Sequence, residues 1–236
     1  MLDQALEALK TYDWGVDPKT IRAIDEAIVS SHGDAAARND LEAKLAAVLG
    51  TPVPQAAKDA VCRALRTIGT ATCVPALSKL LLDEKLSHMA RYALQTNSSP
   101  EATKALIGGL QQAGSPIKIG IAATLAARSR DGHQEVSAVH VAPLLKDKDP
   151  AVAAAGALAL GTIGSAEAVD PLVAAGKAAG STQLKTAVAE GLLQCAENLR
   201  EAGKKGDAKK LYEQVLALKL SDASKAGAEA GIKSCS

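Results

Sequence analysis

The stretch that decides the fold is residues 149–172, DPAVAAAGALALGTIGSAEAVDPL. Apolar or small residues recur in its first half at spacings of 4, 4 and 3 residues: Val152, Gly156, Leu160 and Ile163. This spacing places all four side chains on one stripe of an α-helix. Gly164 follows, where glycine commonly ends a helix, and a second apolar series begins at Val169. The stretch therefore predicts a helix, a tight turn and a second helix.

The same stripe occurs four more times along the chain. The matching series are Ala57, Val61, Leu65, Ile68; Leu86, Ala90, Leu94, Asn97; Ile117, Ile121, Leu125, Arg128; and Leu184, Val188, Leu192, Cys195. The five series begin 29, 31, 35 and 32 residues apart. Because one helical hairpin cannot bury its apolar face alone, this period predicts hairpins that stack on their neighbours.

The composition agrees with a helical protein. The chain has no Phe, one Trp and three Tyr among 236 residues, whereas β-sandwiches and barrels depend on aromatic and β-branched residues. Alanine and leucine, which are abundant here, are strong helix formers.

Residues 149–172 resemble a HEAT-type repeat of the short, phycobilisome-lyase-like kind. In that pattern D-P-x-V opens the second helix, A-L-G-x-I-G closes it and A-V-x-x-L opens the next. Residues 54–82 show the pattern well and residues 84–130 more loosely. The resemblance implies an all-α fold, a right-handed α-α superhelix of antiparallel hairpins like HEAT and armadillo solenoids. One departure is Ala153, which stands where the pattern usually has Arg, so the charge ladder between repeats is only partly present.

The predicted organisation is one continuous solenoid with distinct ends. Residues 1–32 form an N-terminal helical cap, in which Tyr12 and Trp14 are expected to cover the open end of the core. Residues 33–200 form about five HEAT-like hairpins. Residues 201–236 form a C-terminal helical cap that resembles a tetratricopeptide hairpin.

Charge and cysteine content limit the function classes. Lys and Arg number 27 and Asp and Glu 26, so no overall field attracts nucleic acid or an anionic membrane, and neither is predicted as a partner. No run is apolar enough to span a membrane. We expect a soluble protein, cytoplasmic as written, or periplasmic or secreted if a leader or a larger chain was removed. The four cysteines lack metal or redox spacing and are predicted to be small buried hydrophobes, with a Cys195–Cys235 disulfide as the alternative.

The sequence contains no catalytic or nucleotide-binding signature that indicates an enzyme. HExxH, GxxxxGK[ST], GxGxxG and GxSxG are absent, so no cofactor or metal is predicted. His133 with Glu135, or with His140, is a conceivable ligand pair, but these residues fall in or beside a loop where histidines are usually only solvated.

The candidate protein-binding site lies on the second helix of each hairpin, which lines the concave side in HEAT-like solenoids. Opposite the buried stripes, and beside them, lie Arg63, His88, Arg91, Tyr92, Lys118, Ile119, Leu158 and Glu190. Asp59 is expected to be presented on the same face as Arg63. One interpretation is a groove anchored on Tyr92, Ile119 and Leu158, with Arg91 and Lys118 binding carboxylates of the partner. The alternative is that the apolar residues pack between neighbouring helices, and that Arg91 pairs with Asp83 or Glu84.

The sequence thus predicts a non-catalytic scaffold that binds another protein or a peptide segment, with the concave face as the contact surface. The alternative is a HEAT-fold enzyme, bilin-lyase-like or DNA-glycosylase-like, acting on a ligand in the concave groove. A third possibility is that the C-terminal residues 201–236 carry the contact surface.

Overall fold

The computed structural model describes all residues 1–236, and all of its regular structure is helical. The first seven α-helices are α1 (Leu2–Ala8), α2 (Arg22–Ser30), α3 (Ala35–Leu49), α4 (Gln55–Ile68), α5 (Val74–Leu80), α6 (Ser87–Thr96) and α7 (Pro100–Gln112). The next seven are α8 (Ser115–Arg130), α9 (Ala138–Val141), α10 (Pro150–Ile163), α11 (Ala166–Ala178), α12 (Thr182–Glu201), α13 (Lys205–Leu218) and α14 (Asp222–Ser234). Short 3₁₀ turns precede α2 and α5 and follow α9. The predicted all-α class is confirmed.

The chain divides into two compact units, Met1–Ala113 and Gly114–Ser236. In the first unit α3 packs on α4, α5 on α6, and α4 on α6. In the second unit α10 packs against both α8 and α12, and α13 packs against α12 and α14. This is the hairpin-on-hairpin packing predicted from the repeat. The predicted boundaries at residues 32 and 200 stay predictions, and the division at residue 113 falls inside the predicted repeat region.

The five predicted stripes form the core. Eighteen of their twenty residues are buried, and the other two, Ile163 and Leu184, are half-buried. The buried set includes two polar residues, Asn97 and Arg128, which are 3% and 0% exposed. The helical periodicity therefore identified the buried face of each second helix correctly.

The ends of α10 show why the deciding stretch folds as it does. The Asp149 carboxylate accepts the Ala151 N–H at 2.9 Å, and Pro150 takes the first helical position, where its missing N–H costs nothing. At the other end Gly164 has φ of 63°, the left-handed conformation that glycine adopts without a Cβ penalty.

Polar contacts one repeat apart join the hairpins of the first unit. The carboxylate of Glu42 on α3, 1% exposed, accepts the Thr70 N–H at 2.8 Å, the Thr70 hydroxyl at 2.9 Å and the Cys73 N–H at 3.0 Å. The Asn97 side-chain amide donates to the Thr70 carbonyl at 2.8 Å. Glu42 thereby caps the turn that leads into α5, in the next hairpin.

Glycines allow close helix packing in the second unit. A Cβ added at Gly191 on α12 would lie 2.7 Å from the Ala157 carbonyl oxygen of α10, and one added at Gly161 would collide with Gly191 itself. The α10–α12 crossing therefore has backbone against backbone, which explains two of the glycines in otherwise helical sequence.

The two chain ends behave differently. The expectation that Trp14 covers the core is wrong: its side chain is 65% exposed, and Tyr12 is half-buried. Tyr12 and Trp14 follow the short helix α1, and the buried residues of this segment are Ala5 on α1 and Leu9 directly after it. In the C-terminal cap Tyr212 is fully buried, with its ring against Gly231.

All four cysteines are free thiols. Cys62, Cys73 and Cys195 are buried, as predicted, and Cys235 is half-buried. None of the fourteen α-helices combines the length and the apolar character that crossing a membrane requires.

Candidate functional site

The predicted ridge divides between the two units. Arg63, His88, Arg91 and Tyr92 lie on α4 and α6 of the first unit, and Lys118, Ile119, Leu158 and Glu190 lie on α8, α10 and α12 of the second.

In the first unit Tyr92 is held by Arg66. The Arg66 guanidinium lies over the Tyr92 ring, 4.1 Å from its centroid, and its Nη1 donates to the Tyr92 carbonyl at 2.8 Å. The ring remains 38% exposed. One face of the predicted anchor is thus occupied by an internal cation–π contact between α4 and α6.

Asp59 departs from the sequence prediction, which placed it beside Arg63 on the presented face. It is only 7% exposed, and its Oδ1 has no hydrogen-bond partner. Burial raises the pKa of the Asp59 carboxyl, while the positive charges of Arg63 and His88 lower it. The structure therefore brings Asp59, Arg63 and His88 close together, with Arg63 and His88 exposed to solvent.

Arg91 is half-buried on α6, and burial lowers the pKa of its guanidinium. The Asp83 carboxylate accepts the N–H groups of Lys85 and Leu86 at 2.9 and 3.1 Å, and so caps the start of α6. Pairing of Arg91 with Asp83 or Glu84 stays a prediction.

In the second unit the structure brings Ile119 and Leu158 together. They line an open groove of about 280 Å³ between α8 and α10, here called the α8–α10 groove. Its other lining residues are Ala123, Ala126, Ala127, Arg130, Ala155, Ala159 and Thr162. Leu158 is 44% exposed and Ile119 is half-buried. The groove thus has an alanine floor, two apolar walls and an exposed cation, Arg130, from the last turn of α8.

Lys118 has an internal role. Its Nζ lies 2.7 Å from Asp147 Oδ2, and the two side chains are 24% and 12% exposed. The Asp149 N–H and, next, Lys118 lower the pKa of the Asp147 carboxyl. This pair joins α8 to the turn before α10, so it is one rung of the partial charge ladder between repeats. Glu190 lies exposed on α12, outside the lining of the groove.

Sequence reasoning missed a larger groove on the other row of helices. The α9–α11 groove, of about 960 Å³, is lined by Val139, Ala142, Pro143, Leu145, Lys146, Asp170, Pro171, Ala174, Ala175, Ala178 and Leu184. Val139 is 63% exposed. Its signal in the sequence is Val139, an apolar residue that falls outside the buried series of its helix.

His133 and Glu135, considered as metal ligands, instead contact a buried arginine. Arg128 Nη2 lies 3.2 Å from His133 Nδ1 and 3.2 Å from Glu135 Oε1, and Arg128 is fully buried. Burial lowers the pKa of Arg128, and Glu135 opposes that shift. The structure contains no group of three or more His, Cys, Asp or Glu side chains placed to hold a metal ion.

Comparison with known proteins agrees with this architecture. Residues 152–175 match the family model of the PBS lyase HEAT-like repeat, which confirms the resemblance drawn from residues 149–172. The chain is thus an all-helical protein of stacked hairpins that includes a HEAT-like repeat. Among solved structures, an engineered protein, Northeast Structural Genomics Consortium target OR329, is similar at 19% identity and a TM-score of 0.45, over 100% of this chain and 97% of that one. Comparison with curated proteins gives no significant match.

Proposed function

We propose that this protein is a non-catalytic scaffold, and that the α8–α10 groove binds an amphipathic helix of a partner protein. The observation that carries the proposal is the open groove that Ile119 and Leu158 line together with five alanines of α8 and α10. The repeat architecture supports it, because stacked hairpins present extended surfaces suited to binding other chains.

The lining chemistry favours a helix as the occupant. Alanines on both α8 and α10 leave room for a third helix to approach closely, and the exposed Leu158 side chain offers apolar contact. Such a partner would present small or apolar residues at helical spacing along one face.

The charges indicate the polarity of the partner. Lys118 is neutralised by Asp147, so it contributes little to recognition. Arg130 is exposed in the groove lining and forms no ion pair within the chain, so an acidic residue at one end of the partner helix is expected to pair with it.

The test uses two matched variants of exposed helical alanines. Ala123→Glu places a carboxylate on the floor of the α8–α10 groove, and Ala174→Glu does the same in the α9–α11 groove. Each variant and the intact protein are used for affinity capture from a lysate, with mass spectrometry of the retained proteins. Synthetic peptides that cover the helices of a retained protein are then prepared. Their direct binding is measured by fluorescence anisotropy.

The expected result is a peptide that binds the intact protein and the Ala174→Glu variant with equal affinity and binds Ala123→Glu at least tenfold more weakly. Helix content by circular dichroism should be the same in all three proteins. Binding lost in Ala174→Glu but kept in Ala123→Glu would overturn the proposed site and assign the α9–α11 groove instead. Equal binding by all three proteins would exclude both grooves.

A further inference from the structure

A third cavity in the second unit has a different chemistry from the two grooves. It measures about 530 Å³ and lies among the end of α11, the start of α12 and the end of α13. Its lining is Val173, Gly176, Lys177, Ala179, Lys185, Gln214, Ala217, Leu218, Lys219 and Leu220. We call it the lysine cavity, because three lysines from three different segments contribute to it.

The three lysines meet no acidic side chain inside this cavity, although Lys219 also borders a neighbouring cavity that includes Asp222 and Glu229. No acidic side chain lines the cavity, and none of Lys177, Lys185 and Lys219 forms an ion pair. Only five lysines of the chain pair with Asp or Glu, namely Lys10, Lys44, Lys118, Lys210 and Lys225, so an unpaired lysine is not unusual here. What distinguishes Lys177, Lys185 and Lys219 is that they line one cavity. Three unpaired ammonium groups around one concave site create a local positive potential in a chain whose formal net charge is only +1.

The backbone at Lys219 is the second observation. Lys219 follows α13 with φ of 48°, and it is the one residue other than glycine with positive φ in this protein. Five glycines occupy the other positive-φ positions, including Gly164 at the end of α10. A lysine in this strained conformation brings a cation to the cavity where glycine would be the easier residue, and such outliers are found at functional sites.

The remaining walls are apolar. Val173, Leu218 and Leu220 line the cavity, and Leu218 packs on Gly176, where an added Cβ would lie 3.2 Å from its Cδ1. A volume of about 530 Å³ is that of an ordinary small-molecule site. Lysine ammonium groups bind carboxylates or phosphates as point charges, without the fixed geometry of a guanidinium.

We propose that the lysine cavity binds a small organic anion, a carboxylate or phosphate monoester carrying a short alkyl chain. The head group contacts Lys185 and Lys219, and the chain contacts Val173, Leu218 and Leu220. This site is independent of the α8–α10 groove, because the two share no lining residue.

The experiment titrates the full chain with octanoate, octyl phosphate, octanol and inorganic phosphate, by calorimetry and by amide chemical shifts. Octanoate and octyl phosphate carry both parts of the proposed ligand, whereas octanol lacks the charge and phosphate lacks the chain. The expected result is saturable binding of the two amphiphilic anions, shift changes on α11–α13, and binding at least tenfold weaker for octanol and phosphate. Whichever of octanoate and octyl phosphate binds with the lower Kd identifies the preferred head group.

Two variants separate binding from folding. Lys219→Gly removes one cation and relieves the backbone, so it should raise Tm by a few degrees while weakening octanoate binding at least threefold. Ala217→Glu puts a carboxylate at an exposed helical position in the lining and should abolish binding. Lys209→Gln, an exposed lysine on α13 outside the lining, is the matched control and should bind normally.

Three results would overturn the proposal. They are octanol binding as tightly as octanoate, unchanged octanoate binding in both Lys219→Gly and Ala217→Glu, and shift changes confined to residues outside α11–α13. Failure of all four probes to bind would overturn it as well. None of these results bears on the α8–α10 groove, which the Ala123→Glu variant tests separately.

Discussion

Gly161 on α10 and Gly191 on α12 face each other so closely that neither has room for a side chain. A Cβ on Gly161 would collide with the Gly191 backbone, and one on Gly191 would lie 2.7 Å from the Ala157 oxygen. In an open helix, replacing glycine by alanine stabilises the protein by about 0.5–1 kcal/mol. At Gly161 and Gly191 the added Cβ would overpack the contact at a cost of roughly 1–3 kcal/mol, so the substitution is destabilising there.

Gly161→Ala is therefore expected to destabilise the protein by about 2 kcal/mol, measured as a lower urea midpoint by circular dichroism. The matched control is Gly108→Ala in α7, where an added Cβ meets nothing within 4 Å. That change should stabilise the protein by about 0.5–1 kcal/mol and so raise the urea midpoint. A stabilising effect at both positions would contradict the described α10–α12 contact.

Arg128 provides a second prediction, because its guanidinium is fully buried beside Glu135. Glu135→Gln removes the carboxylate that lies 3.2 Å from the buried cation and should cost about 1–2 kcal/mol, less than for a fully buried pair because Glu135 is 33% exposed. Arg128→Met removes the charge and keeps much of the apolar volume.

A double-mutant cycle measures the coupling. Once Arg128 is Met, the additional change Glu135→Gln should have an effect near zero, since no buried charge remains to be compensated. Urea unfolding of the four proteins provides the free energies. If Glu135→Gln lowers the free energy of unfolding equally with Arg128 and with Met at position 128, the pair has no coupling energy.

The buried faces of the helices could be predicted from the sequence alone, whereas the partners of their charged side chains could not. Helical periodicity is local, so it located all five stripes and even placed Arg128 on the buried face. The partner of Arg128 lies in the following loop, and the Asp147 partner of Lys118 lies 29 residues away. No spacing rule predicts which of several carboxylates such a lysine meets.

The candidate site was predictable only in part, because spacing along one helix does not show which residues of other helices lie beside it. Ile119 and Leu158 were identified because residues opposite a buried stripe lie on the exposed face of a helix. Asp59 was expected on the exposed face beside Arg63 but is only 7% exposed, and spacing along α4 alone does not predict that burial. The lysine cavity collects residues from α11, α12 and α13, and its members have no common period in the sequence.

The hydrogen bond from the Tyr212 hydroxyl to Glu197 predicts a pH-dependent stability. Together with Arg200, the next cause in size, it lowers the pKa of the Glu197 carboxyl. The stabilisation is therefore fully present above the ordinary carboxyl pKa of 4.5 and is lost as the pH falls through the lower pKa of the folded state.

Tyr212→Phe should cost about 1 kcal/mol at pH 7, a value kept small because Glu197 is 39% exposed. The difference in Tm between the intact protein and Tyr212→Phe should shrink between pH 5 and pH 3, as Glu197 becomes protonated in both. A difference that stays constant from pH 7 to pH 3 would show that the lost interaction does not involve ionised Glu197.

Thiol reactivity tests the cysteine assignments. Burial raises the pKa of Cys62 and Cys73 to about 12 and that of Cys195 to about 11, so these thiols are protected both sterically and chemically. Cys235 is half-buried near the C-terminus. With Ellman's reagent one thiol should react quickly in the native protein and all four after denaturation.

Cys235→Ser is the control for this assay, and it should remove the fast phase. Two thiols after denaturation, instead of four, would indicate that Cys195 and Cys235 form a disulfide in solution. Several fast thiols in the native protein would contradict the described burial.

The Glu42 carboxylate has a consequence for how the first unit comes apart. Arrays of repeats can fray, losing terminal repeats one at a time while the remainder stays folded. Here the hairpin α3–α4 carries a buried anion whose hydrogen-bond donors, at Thr70 and Cys73, belong to the turn into the next hairpin. Separating that turn from α3 would break three hydrogen bonds to one carboxylate at once, so the two hairpins are expected to unfold together. A single glutamate side chain would thereby make the unfolding of these two hairpins cooperative, although each is a separate repeat.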